Sequence, residues 1–271
     1  MRAGQVRRMT AAAPGLRVEG VSVRFAGLTA LDGVSLSAKP GQVLGVIGPN
    51  GAGKTTLFNA ICGFVRPQGG TISWRGEPLG RVRPHQLVKL GIARTVQGVR
   101  LFPHLSALEN VMVGADHLHR PGLAFAFFGL PRSDRAERAL RETASRALDQ
   151  LGVAEVAHRQ ASSLPYPVQK RVSLARALVA KPDLLLLDEP AGGLGADDVE
   201  ELAGLIRGFD KAMTVMLVEH RMDLVMSVCD HVAVLDSGRL IAEGSPAEVR
   251  ANQNVLEAYL GTEEEENGAG G

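Results

Sequence analysis

Gly48, Pro49, Asn50, Gly51, Ala52, Gly53, Lys54 and Thr55 form one unbroken run, with Thr56 directly after it. Residue types in this order suit the capture of a triphosphate. The glycines let the backbone turn so that consecutive amides point inward at phosphate oxygens. Lys54 reaches the β- and γ-phosphates, and the Thr55 hydroxyl is a hard oxygen ligand for Mg²⁺. A glycine-rich turn can match by chance, but the flanks fit as well. Residues 42–47 are a short, β-branched apolar run of the kind a buried strand requires. Residues 56–62 read as a helix, so the phosphates would also meet a helix N-terminus.

A second group of polar residues follows apolar strands further along. Residues 184–187 are four leucines, and Asp188, Glu189 and Pro190 come next. Asp188 at a strand end can hold Mg²⁺ through water. Glu189 can orient the attacking water or take its proton. His220 follows the apolar run 213–218 and the acid Glu219. Alone, a histidine there is more often structural. Behind a phosphate loop and a pair of acids, it is placed to touch the γ-phosphate. Gln97, after the apolar run 92–96, can sense Mg²⁺ and the γ-phosphate, or simply make a loop hydrogen bond. Phe25 can stack on an adenine ring or be buried in its strand.

Around these residues the chain has an ordinary globular make-up. Its 271 residues can bury a full core, with 45% hydrophobic and 22% charged side chains. A net charge of +1 gives no field for nucleic acid, so none is expected as a partner. Cys62 and Cys229 are too few for a disulfide framework and suit core packing in a reducing compartment. No apolar run approaches the roughly 20 residues that span a bilayer. The basic start with Ala11, Ala12 and Ala13 lacks a secretory apolar core. Residues 1–15 read as a disordered extension, and 262–271 as an acidic, glycine-rich tail.

The elements that must position the site follow from periodicity. Alternation of Leu16, Val18, Val21, Val23 and Phe25, then at 34–37, predicts antiparallel strands ahead of the phosphate loop, and 71–74 reads as another short strand. A mostly helical stretch begins at Ser106, with Leu140, Ala144, Ala147, Leu148 and Leu151 on one face. An apolar patch at 123–130 lies between Pro121 and Pro131. Strands at 183–187, 213–218 and 231–235 alternate with helices at 168–179 and 199–209, which argues for a parallel sheet covered on both faces. The expected fold is α/β: a P-loop NTPase core of mostly parallel sheet, an antiparallel β subdomain and an inserted α-helical subdomain. The ATP-binding domain spans 16–261, with the helical insertion at about 98–180.

This set of motifs, in this order, resembles the ATP-binding subunits of ABC transporters over residues 16–261. The resemblance implies ATP and Mg²⁺ as ligands, ATP hydrolysis, and two such subunits closing head to tail over two nucleotides. Residues 93–102, the patch near Phe127, the run 159–162, 218–226, and the ending at 243–246 and 258–261 are similar to the ATPases of branched-chain amino acid importers. That implies a second, different ATPase subunit, two transmembrane permease subunits and, indirectly, an extracytoplasmic substrate-binding protein. It also implies a peripheral position on the cytoplasmic face of the membrane. Urea and amide importers share this architecture. An exporter ATPase and a soluble, non-transport ATPase of the same class are the other readings.

One motif departs from the family pattern. The usual signature loop Leu-Ser-Gly-Gly-Gln corresponds here to Leu164, Pro165, Tyr166, Pro167 and Val168. The family uses the serine hydroxyl and the second glycine's N–H on the partner's γ-phosphate. Pro165 has no hydroxyl, and Pro167 has no N–H. Gly195 also stands, after Leu194, where the family usually has aspartate. The expectation is an asymmetric pair with one weak site, unless Tyr166 and neighbouring amides compensate.

Overall fold

The computed structural model describes residues 15–79, 82–95, 98–115 and 132–259. Gln97, the 123–130 patch, residues 1–14 and the tail from 260 onward lie outside the described residues.

Two sheets divide the work. The smaller pairs β1 (Leu16–Phe25) with β2 (Leu28–Ala38), and adds β4 (Gly69–Trp74) and β5 (Glu77–Pro78), in the order β2-β1-β4-β5, all antiparallel. Ala26 and Gly27 close the β1–β2 turn at φ 42° and 96°, as the tightest hairpins require. The larger sheet has the order β10-β9-β3-β8-β7-β6. Its strands are β3 (Val43–Ile47), β6 (Ile92–Arg94), β7 (Leu184–Asp188), β8 (Thr214–Val218), β9 (His231–Asp236) and β10 (Arg239–Gly244). All its pairings are parallel except β9 with β10.

The expected burial on both faces is present, and alternate residues divide between the faces. Leu185, Leu187, Val215 and Leu217 face one core, while Leu184, Leu186, Met216 and Val218 face the other. The second core is closed by the small sheet and by α1 (Lys54–Ile61), through Leu57, Phe58 and Ile61. The first is closed by α2 (Ala107–Ala115), α3 (Arg132–Gln150), α4 (Tyr166–Leu178), α5 (Ala196–Arg207) and α6 (Met222–Val228). A short α7 (Pro246–Arg250) and a helical turn region at 253–259 follow.

The inserted helices carry the apolar face foreseen for them: Ala144, Ala147, Leu148 and Leu151 are buried, and Leu140 packs against the same cluster. Asn110 of α2 is fully buried and ties the preceding loop to the helix. Its amide donates to the Phe102, Leu105 and Ser106 carbonyls, and its oxygen accepts from Phe102 N–H. Cys62 and Cys229 are both buried and unpaired, as packing residues. Burial pushes their thiols up to about 11 and about 12.

Strand order explains how distant segments meet. β3, β8 and β7 are consecutive neighbours and run in the same direction. Their C-terminal ends, which precede Gly48, Glu219 and Glu189, therefore open on one edge of the sheet. Ligands bind at that edge in open α/β sheets.

Candidate active site

The loop from Gly48 to Gly53 leaves β3 in a conformation that glycine permits and other residues resist. Gly48, Gly51 and Gly53 have φ of 148°, 80° and 98°. A Cβ at Gly48 would stand 2.0 Å from the Leu235 carbonyl oxygen, and one at Gly53 2.5 Å from that of Ala30. Gly51 has open space on its outer side. The loop is also pinned from the β9–β10 turn, where Gly238 N–H donates to the Ala52 carbonyl at 3.1 Å. Lys54 begins α1 and is nearly buried. Its ammonium donates to the Gly48 and Pro49 carbonyls at 2.7 and 2.8 Å. Burial lowers its pKa, and the Glu189 carboxylate opposes that shift. The two charged residues read from separate motifs thus lie within electrostatic reach of one another. Thr55 and Thr56 occupy the first turn of α1, with Thr55 exposed.

Asp188 ends β7 with its side chain 3% exposed. Its backbone N–H donates to the Thr95 hydroxyl at 3.2 Å. Its carboxylate accepts from Arg94, the last residue of β6, at 2.9 Å. Glu189 turns the chain at φ 45°, a left-handed conformation that costs a non-glycine residue roughly 1–3 kcal/mol. Three bonds hold the turn. Glu189 N–H donates to the Val218 carbonyl at 2.9 Å, and its own carbonyl accepts from Gly192 N–H and from Lys170 Nζ, each at 3.1 Å. Lys170 lies on α4; burial lowers its pKa, opposed by Glu219, Glu189 and Asp188.

Glu219 is the residue at β8's end that reading the motifs undervalued. It is fully buried. Its carboxylate accepts from the backbone N–H groups of Ala191, His220 and Arg221 at 2.7, 3.0 and 3.1 Å. This stitches the segment after Glu189 to the segment that carries His220. The His220 ring is 56% exposed at the sheet's edge, its Nδ1 3.7 Å from the same carboxylate. Sequence offers only a weak signal for this role, an acid directly after a wholly apolar strand.

The aberrant signature segment keeps its helix. Pro165 caps α4 at φ −56°, ψ 149°, without a side-chain cap bond, and Pro167 sits in the first turn. Gln169 N–H is already bonded to the Pro165 carbonyl. The amides left at this end are those of Tyr166 and Val168. The Tyr166 hydroxyl donates to the Gly192 carbonyl at 3.3 Å, and its ring lies where a Cβ on Gly193 would come within 2.9 Å. Gly195 caps α5 in extended backbone.

Phe25 is 47% exposed rather than buried in its strand, which removes one of its two expected roles. The β1–β2 hairpin it closes reaches the phosphate loop through Ala30 and Leu31. Beside Thr55 and Asp188 runs a groove of about 740 Å³. Its walls include Asn59, Phe64 and Arg94 on one side and Val113, Ser173 and Ala177 on the other.

The donor set fits Mg²⁺ held jointly with phosphate oxygens. Thr55 and Asp188 offer hard oxygens, and among the described residues no group of three or more His, Cys, Asp or Glu converges to make an all-protein cage. A glycine cradle at a strand–helix junction, a buried lysine within electrostatic reach of an acid, and paired carboxylates at the end of the strand two places along the sheet together define a P-loop nucleoside triphosphatase.

Comparison with known proteins narrows the class. The family profile described as "ABC transporter" matches residues 31–192, and that described as "Branched-chain amino acid ATP-binding cassette transporter" matches residues 239–265. The chain belongs to the ABC transporter family as an ATP-binding subunit. It is 41% identical to the high-affinity branched-chain amino acid transport ATP-binding protein BraF of Pseudomonas aeruginosa, over 92% of this chain and 98% of that protein. It is 40% identical to the corresponding LivG protein of Escherichia coli K12, again over 92% and 98%. Among solved structures, a nucleotide-free ATP-binding cassette from an ABC transporter superposes with a TM-score of 0.80 at 30% identity, covering 91% of this chain and 98% of the other. An ADP-bound cassette gives 0.78 at 30% identity, covering 92% and 99%. Subunits of this kind bind ATP and hydrolyse it to power transport through transmembrane permeases. No described helix is long and apolar enough to cross a membrane.

Proposed function

We propose that this chain is the ATP-hydrolysing subunit of an importer for branched-chain or related amino acids, paired with a second, different ATPase subunit. The observation that carries the reading is the convergence of Lys54, Asp188 and Glu189 on one sheet edge. The names of its relatives and the C-terminal match at 239–265 support the substrate class.

In this reading the Lys54 ammonium exchanges its two loop carbonyls for β- and γ-phosphate oxygens. Amides of residues 48–55 take the remaining oxygens, and Phe25 stacks on the adenine. Thr55 and Asp188 would hold Mg²⁺, with Gln97 as a further contributor. When bound, the metal neutralises charge on the β- and γ-oxygens. Glu189 orients the attacking water and accepts its proton, while His220 holds the γ-phosphate from the end of β8. The groove beside Thr55 and Asp188 is the docking place for a permease segment. Its exposed Phe64 and Val113 invite an apolar partner, and the groove shares Thr55, Arg94 and Asp188 with the nucleotide site.

Two sites form between the paired ATPase subunits, and they are unequal. The signature end of α4 keeps two free amides but lacks the hydroxyl and amide that Pro165 and Pro167 exclude. Two lost charge-assisted hydrogen bonds weaken closure by about 3–6 kcal/mol. The site on this chain's own phosphate loop, completed by the companion, is the fast one. The test is Glu189→Gln in this chain against the matching change in the companion, within the assembled transporter. The change here is expected to abolish nearly all ATPase activity, and the companion's to leave a substantial fraction. Equal loss from both would rule the asymmetry out.

A further inference from the structure

Arg94 lies in the 93–102 stretch but was given no role above, and it is held by several groups at once. It ends β6, beside β7 in parallel register. Its side chain is 15% exposed. One terminal nitrogen donates to Asn59 Oδ1 at 3.0 Å and the other to Asp188 Oδ2 at 2.9 Å. The guanidinium lies over the Phe58 and Phe64 rings, 4.7 and 5.2 Å from their centroids. The Cys62 thiol is beside the same cation. Two rings and an amide, besides Asp188, hold the group in place. Its fork holds a single Asp188 oxygen, and Arg94, Asp188 and Thr55 line one groove.

From this geometry we infer that Arg94 is a resident counter-cation for Asp188 and sets how tightly the site holds its divalent metal. This rests on the nucleotide-site reading. A buried carboxylate without a partner is costly, so Arg94 stabilises the site while it is empty. The same positive charge, a few ångströms from where a doubly charged ion must stand, weakens the ion's hold. Asp188 is thereby shared between a fixed cation and an exchangeable one. Arg94 is a positioning residue, not a catalytic one: it touches Asp188 and not the nucleotide.

The test measures binding of a fluorescent ATP analogue by the full chain carrying Glu189→Gln, as Mg²⁺ is titrated from zero. Arg94→Gln is expected to lower the half-saturating Mg²⁺ concentration on the order of 5- to 10-fold, with each curve normalised to the metal-free affinity. Arg94→Lys keeps the charge but cannot hold Asn59 and Asp188 together; it should lie between, about 2- to 3-fold down on the same scale. In parallel, the melting temperature without nucleotide should fall in Arg94→Gln and recover in the Arg94→Gln, Asp188→Asn double variant. Unchanged or raised Mg²⁺ requirement in Arg94→Gln overturns the inference. If that variant does not fold, an unchanged or raised Mg²⁺ requirement in Arg94→Met, which also removes the charge, overturns it equally. Lys54→Ala is the separate control. Should it leave metal-free binding intact, the nucleotide-site reading fails, and not the role given to Arg94.

Discussion

Lys54 donates to the Gly48 and Pro49 carbonyls, so on the proposed reading a phosphate at this residue would take the place of acceptors it already has. Glu219 is the opposite kind of residue, with a purely internal role. Its carboxylate is fully buried and answers three backbone amides from two segments. Glu219→Ala would strand those donors at about 1–3 kcal/mol each. We expect at least about 3 kcal/mol of lost stability in chemical denaturation and a disproportionate fall in ATPase activity, because the bonds fix the approaches to Glu189 and His220. A loss below 1 kcal/mol, roughly the net value of a single ordinary hydrogen bond, would show that the segments hold each other by other means. The contrast also explains what could be read directly from the chain. Lys54, Asp188 and Glu189 act through local spacing, which is written along the sequence. Arg94, Lys170 and Glu219 act through neighbours that only the strand order supplies, so their residue types alone carry little signal.

At the scale of elements, two helix starts are built alike. Ser106 before α2 and Ser245 before α7 each exchange hydrogen bonds with a glutamate three positions on, Glu109 and Glu248. These reciprocal bonds hold both carboxyls below the ordinary glutamate pKa, Glu109 through the Ser106 backbone first and Glu248 through the Ser245 hydroxyl first. A depressed folded pKa means the stabilisation is complete above the ordinary value and is lost as pH falls through the folded one. The urea midpoint should therefore drop as pH falls from about 5 to below about 4, and drop less steeply when Ser106 and Ser245 are both replaced by alanine. Parallel acid limbs in the two proteins would contradict this. The long periodic elements, the central strands and the face of α3, were legible in the sequence because burial on both sides or on one stripe leaves a clear apolar pattern. β10, α6 and α7 were not anticipated, being short elements whose residues are only partly apolar. The helix after the aberrant signature begins at Tyr166, earlier than its apolar spacing suggested, because proline is welcome in a first turn.

Across the whole molecule, the inserted helices and the sheet edge enclose a groove that shares Thr55, Arg94 and Asp188 with the nucleotide site. Phe64 on one rim and Val113 on the other are exposed apolar side chains. Phe64→Ser combined with Val113→Ser should cut co-purification with the permease subunits at least several-fold, while ATP-analogue binding to the isolated chain persists. Normal assembly would place the membrane contact elsewhere. The packing of Tyr166 on Gly192 and Gly193 has a further consequence. The start of α4 and the turn after Glu189 are seated on one another, so neither border can tilt alone. On the proposed reading, any movement of that turn during ATP hydrolysis would carry the start of α4 with it, linking one nucleotide compartment to the surface offered to the other.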